Sequence, residues 1–196
     1  SAGRNREGTQ RILTPSPTAG WSFATWTGPC QGAGDCTLTL SAQATVTATF
    51  TQEQYQQAMG VNPSTFKGAG LPVETVSWDD TQIFCAKVSE STRHTVRLPT
   101  EAQWEFACRA GTTTAYCSGD SKADLDRAGW YRANSDERIH PVGQKEPNAW
   151  GLCDMHGNVA EWTEDWEEQH RTEALVDPQG PPQGYYRVPR GGCSRS

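Results

Sequence analysis

Seven cysteines, four histidines and a run of carboxylates are the residues of this 196-residue chain whose types and spacing could do chemistry. The cysteines are Cys30, Cys36, Cys85, Cys108, Cys117, Cys153 and Cys193. None forms a C-x-x-C pair, so structural zinc has little support. An odd count in an exported protein leaves a free thiol or one whose partner lies outside the chain. Cys30 and Cys36 bracket the Gly-rich tip Gln31-Gly32-Ala33-Gly34-Asp35, and a hairpin there would bring them within bridging reach as a disulfide. Cys85 and Cys108 fall on two helical segments, where three fates are open. They could pair with each other, pair with a thiol beyond Ser196, or stay as small buried hydrophobes. His94, His140, His156 and His170 are scattered and read as polar surface or loop residues. The acidic run Glu161, Glu164, Asp165, Glu167, Glu168 reads as a solvated face. No Ser/His/Asp set, phosphate-cradling glycine loop or acid–base carboxylate pair stands out.

The elements that must position these residues change character along the chain. Residues 1–19 are polar with Pro15 and Pro17 and read as a linker. In the segment 20–50, Cys36, Leu38 and Leu40 alternate on one face, and Val46, Ala48 and Phe50 form a second run. Thr-rich alternation of this kind predicts strands, with a turn at Ser41-Ala42-Gln43. From Thr51 the pattern becomes short capped helices. Thr51-x-x-Gln54 is a capping box and Gly60 a left-handed stop. Ser77 caps a second helix reaching about Glu90, with Phe84 and Val88 on one face. Thr100-x-x-Gln103 opens a third, with Trp104 and Cys108 one turn apart and Gly111 as its end. Beyond residue 112 nothing periodic extends past a few residues, and prolines break the chain into loops and short strands. Among the eight Trp, Trp104, Trp150 and Trp162 read as core anchors.

Charge and length exclude some partners. The net charge is -6, and residues 1–50 hold three Arg against two acids, so the acidity lies in the remainder. A phosphate backbone needs a basic surface, so nucleic acid is excluded as a partner. No apolar run approaches the roughly 20 residues of a membrane span. The chain starts at Ser1, and no leader peptide is visible.

Four stretches carry a family resemblance: NPSTFKGAGLPVETVSWDD (62–80), RLPTEAQWEFACRAGTTT (97–114), HPVGQKEPNAWGLCDMHGNVAEWTEDW (140–166) and YRVPRGG (186–192). In this order and spacing they resemble the formylglycine-generating enzyme, or sulfatase-modifying factor, domain. The preceding GWSFATWTGPCQGAGDCTLTLSAQATVTATF (20–50) resembles the C-terminal half of a small β repeat of bacterial surface and secreted proteins. Beside the linker at 1–19, the resemblance implies two units: a partial β repeat at 20–50 and a sulfatase-modifying-factor domain at 51–196. It implies an α+β fold of the C-type lectin type with little regular structure. It further implies an extracytoplasmic, bacterial setting and a protein or peptide partner.

The resemblance also implies site chemistry. In the copper enzymes R-G-G-S is followed by two cysteines, the first three residues after the serine. Here Cys193 stands at the serine position and Ser196 at that of the first cysteine, so no catalytic residue is assigned. Cu(I), which suits soft thiolates, is expected only where that pair exists. The family's structural Ca²⁺ maps onto Asp154, Gly157, Val159 and Glu161. The donor types agree: two hard carboxylates, and a glycine that lets backbone carbonyls face one point. Two functions are implied, oxidation of a sulfatase-type cysteine to formylglycine or ligand recognition on the same scaffold without catalysis, as in retroelement-diversified variable proteins.

Overall fold

The computed structural model describes the backbone of residues 9–13 and 36–40, and the full residues 50–68, 70–168 and 178–195. Its first sheet pairs β1 (Thr9–Leu13) antiparallel with β2 (Cys36–Leu40), Thr9 opposite Leu40 and Leu13 opposite Cys36. The stretch 1–19, expected as a linker, therefore contains a strand. Its partner lies more than twenty residues on, and a five-residue strand gives no local signal of that pairing. Cys30, the turn at 41–43 and the run 46–49 lie outside the described residues.

Three helices stand where their capping boxes place them. Helices α1 (Gln52–Met59), α2 (Trp78–Thr92) and α3 (Glu101–Arg109) start after Thr51, Ser77 and Thr100. Each cap accepts from the N3 backbone N–H while the N3 side chain returns to the cap N–H. Each such box contributes about 1 kcal/mol. Gly60 ends α1 at φ 79°, as expected. Helix α3 ends one residue earlier than expected, on Ala110 in the left-handed region. A fourth helix, α4 (Lys122–Ala128), lies in the stretch whose sequence shows no helical periodicity, although Ser121-x-x-Asp124 is the same box. Beyond it come β3 (Gly129–Trp130), β4 (His156–Gly157), β5 (Glu161–Trp166) and β6 (Arg187–Arg190).

Two apolar clusters position everything else. Tyr55, Phe84 and Val88 join α1 to α2, with Phe50, Val73, Val76 and Val96 packed against them. Phe50 meets the Phe84 ring edge-on at 4.7 Å, so the last residue of the expected β run packs with the helices. Trp104, Cys108, Leu152 and Met155 form the second cluster beneath α3. Against it lie two small pairings: β3 runs parallel to β4, and β5 antiparallel to β6 with Glu161 opposite Arg190. A side chain at Gly129 or Gly157 would overlap the backbone carbonyl opposite, so glycine is what lets β3 and β4 approach.

Candidate functional site

The turn that carries β4 and leads into β5 is wound by three left-handed residues within five positions, Asp154 (φ 58°), Gly157 (φ 85°) and Asn158 (φ 62°). Only Gly adopts such angles without cost, and Asp and Asn tolerate them better than most residues. Asn158, almost wholly buried, fastens the turn to its surroundings. Its Oδ1 accepts from His140 N–H at 2.9 Å, its Nδ2 donates to His140 O at 3.0 Å, and its N–H donates to Trp130 O at 2.7 Å. The 190–194 segment closes the other side. Gly157 N–H donates to Gly191 O at 2.7 Å, Ser194 N–H donates to Asn158 O at 3.0 Å, and Ser135 Oγ donates to Ser194 O at 2.5 Å.

Two carboxyl groups are enclosed at the ends of this turn. Asp154 is buried; its Oδ2 accepts from Gly143 N–H at 2.7 Å, while Oδ1 is buried with no protein partner. Burial pushes the Asp154 carboxyl above its usual range, partly offset by hydrogen bonds from Gly143 and Asn158. Glu161 exposes part of its surface, but its carboxyl is enclosed and accepts from Trp104 Nε1–H at 2.7 Å. Burial pushes it up to about 7; the Trp104 bond opposes this and the nearby Asp154 charge adds to it. An unsatisfied buried carboxylate oxygen costs a few kcal/mol, and two such acids in one another's field disfavour ionisation. A hard cation relieves both. Among the described residues no group of three or more His, Cys, Asp and Glu side chains is placed to hold a metal. A cation here would draw its further ligands from backbone carbonyls, and Gly157 and Val159 lie on the turn between the two acids.

A cavity of ≈ 370 Å³ opens beside this turn, between α3, residues 114–117, β4 and the start of the 190–192 segment. Glu105 stands at its edge between Arg109, at 2.7 Å, and Arg190, whose guanidinium lies 5.1 Å above the Trp104 ring. Inside, Cys108 Sγ lies 3.9 Å from His156 Nε2, and the Cys117 backbone N–H donates to that same nitrogen at 3.1 Å. Nε2 is therefore an acceptor, and burial pulls the imidazole pKa down, keeping the ring neutral. Burial also pushes the Cys108 thiol up to about 12 and raises Cys117, so neither is an activated nucleophile.

Several residues depart from their expected roles. His140 is stacked on Trp130 at 3.8 Å and His156 is enclosed, so neither is a plain surface residue. Asp165 is buried and accepts from the Glu101 N–H at the start of α3 at 2.6 Å, and Glu164 accepts from Gln82 at 2.8 Å. The acidic run is thus partly a helix-terminus anchor, because its partners arrive from elements 64 and 82 residues earlier. Cys85 and Cys108 are both free and buried, on separate helices, so they are not paired with each other. Trp104 is a core anchor as expected, while Trp162 is part-buried and donates to Val76 O at 3.0 Å.

Comparison with known proteins places the family and the fold. The sulfatase-modifying factor enzyme 1-like domain model matches residues 34–196, and the divergent InlB B-repeat domain model matches residues 1–54. The formylglycine-generating enzyme of Bos taurus is 34% identical over 141 residues, covering 64% of this chain and 36% of that protein. The chain matches less than two thirds of the length of such curated relatives. Among solved structures, Treponema denticola variable protein 1 superposes with a TM-score of 0.74 at 29% identity, covering 96% of this chain and 84% of that one. PvdO from Pseudomonas aeruginosa shares the fold, with a TM-score of 0.64 at 21% identity and coverage of 97% and 88%. With the lectin-like fold, the ordered motifs and a family model spanning most of its length, the chain belongs to the sulfatase-modifying factor enzyme 1-like domain family.

Proposed function

We propose that this chain is a calcium-stabilised recognition module that binds a protein or peptide ligand on the sulfatase-modifying-factor scaffold without oxidising it. The observation that carries the reading is Ser196. It occupies the position at which the copper enzymes of the resembling family place their first catalytic cysteine. A serine hydroxyl is a hard, neutral donor and a poor ligand for Cu(I), which favours thiolate. The likeness to a variable protein over 96% of the chain supports the same side. The competing reading, oxidation of a sulfatase-type cysteine to formylglycine, is tested directly. The chain is incubated with Cu(I), O₂ and a Cys-containing sulfatase peptide, and the peptide is weighed. No conversion above a copper-only control is expected; turnover overturns the proposal.

The metal assignment rests on the Asp154 turn. Asp154 and Glu161 would supply carboxylate oxygens, and Gly157 and Val159 backbone carbonyls. Ca²⁺ takes six to eight oxygens at about 2.3–2.6 Å, so further oxygens would complete the shell. When bound, Ca²⁺ supplies charge neutralisation and a rigid turn. The buried Asp154 Oδ1 without a partner is what makes the site fit a cation.

The setting is extracytoplasmic. The match of residues 1–54 to a repeat of the InlB type supports it. An oxidising compartment favours a Cys30–Cys36 disulfide. Mass spectrometry of unreduced protein should find these two thiols linked, and free alkylation of both would sink that pairing.

A further inference from the structure

The cavity beside α3 contains two thiols that neither calcium nor the recognition reading uses. Cys108 lies in the last full turn of α3, and Cys117 on the loop after that helix. Cys108 Sγ is 3.9 Å from His156 Nε2, and the Cys117 N–H reaches the same atom at 3.1 Å. Two contacts of 3.9 and 3.1 Å converging on one nitrogen keep the Cys117 backbone nitrogen within about 7 Å of the Cys108 sulfur. Both residues line the cavity of ≈ 370 Å³, so there is room for the side chains to rotate toward one another. Neither Cys85 nor Cys153 lines it.

The intervening loop is pinned. Arg109 donates to Thr114 O at 3.1 Å, Ala115 N–H donates to Asp120 Oδ1 at 2.8 Å, and Tyr116 and Gly119 exchange backbone bonds at 2.9 and 3.2 Å. The loop therefore presents Cys117 to α3 in a fixed place. Tyr116 packs edge-on to His156 at 5.6 Å and closes the side of the cavity.

We propose that Cys108 and Cys117 form a reversible disulfide that ties the 112–119 loop to the end of α3 and closes the cavity over His156. The oxidant is a low-molecular-weight disulfide such as oxidised glutathione. One protein thiolate attacks it, forming a mixed disulfide and releasing one glutathione thiolate. The second cysteine then displaces the other glutathione. Two protein S–H bonds are lost and one S–S bond forms. The oxidant's S–S bond is reduced to two thiols, which take up the two protons.

The experiment equilibrates the full chain in glutathione buffers of graded oxidation at pH 8.5, then alkylates and digests it with trypsin. Cleavage after Arg97, Arg109 and Lys122 places the two cysteines on separate peptides, 98–109 and 110–122. The expected product is that pair of peptides joined, lighter by two hydrogens than their sum. Oxidation should raise the thermal midpoint, and dithiothreitol should reverse the rise. Cys117→Ser, which leaves the core packing of Cys108 intact, should lose both the linked peptide and its share of the shift. Should that variant fail to fold, Cys117→Ala serves in its place, and the linked peptide in the parent chain decides the matter alone. Recovery of Cys108 and Cys117 as alkylated thiols in the most oxidising buffer would overturn the proposal. So would Cys108 joined to any other cysteine.

Discussion

Removing the charge of Glu161 while keeping its shape gives the sharpest probe of the turn. In the metal-free chain the Glu161 carboxyl titrates near 7, against an ordinary value of 4.5. The folded state therefore holds this proton more tightly than the unfolded state does. For an acid shifted upward, the stability contribution is fully present below the unfolded pKa and is lost as pH rises through the folded one. The window is about pH 4.5 to 7, and the shift corresponds to ~3 kcal/mol. Asp154, also raised by burial, adds a loss of the same sign. His156 acts oppositely: its lowered pKa makes stability rise with pH up to its ordinary value of 6.5. The difference between wild type and Glu161→Gln isolates the carboxylate from that background. Glutamine still accepts the Trp104 indole N–H through Oε1 but carries no charge. In chelator at pH 8 the variant should melt higher than wild type by roughly 6–12 °C, given about 2–4 °C per kcal/mol for a domain of this size. At pH 4.5 the two midpoints should coincide. Excess Ca²⁺ should raise wild type at pH 8 by an amount that grows with its concentration, about 2.7 kcal/mol at a hundred times Kd, and should move the variant far less. A wild type that shows no Ca²⁺ response at pH 8 would refute the cation site. A variant that melts lower than wild type in chelator at pH 8 would refute the electrostatic reasoning behind it.

Two further outcomes rest on the same geometry. Gly157→Ala places a methyl group into the Trp130 carbonyl at a φ of 85°, so the loss should exceed about 3 kcal/mol and appear as a much lower urea midpoint. Asp165→Ala leaves the Glu101 N–H at the start of α3 without its buried acceptor, and chemical denaturation should show a loss of about 1–3 kcal/mol.

What the chain shows before folding and what it hides divide along the range of the interactions involved. The capping boxes at Thr51, Ser77 and Thr100 are closed within four residues, so the helix starts they specify are readable from sequence. Ser121 and Asp124 close the same box. The next seven residues, Lys-Ala-Asp-Leu-Asp-Arg-Ala, contain a single large apolar side chain and so lack the periodicity that would mark a helix. The candidate calcium turn is legible for the reason that the first three helices are. Its four residues lie within eight positions, and their types suit one ion. Its electrostatics are not legible, because they depend on what encloses it. Trp104 reaches Glu161 across 57 positions, and Gly143 reaches Asp154 across 11. Asp165 shows the same limit. Within an acidic run it looks solvated, and only the arrival of α3 from 64 positions earlier makes it a buried acceptor. The cavity is the extreme case. Cys108, Cys117 and His156 lie on three segments with no shared motif. The position of His156 among them depends on Gly129 and Gly157, which allow β3 and β4 to approach, and on the Gly191 carbonyl that holds Gly157 in place. Local motifs therefore locate the donors, while the glycine-mediated contacts between distant segments decide how strongly those donors need a cation.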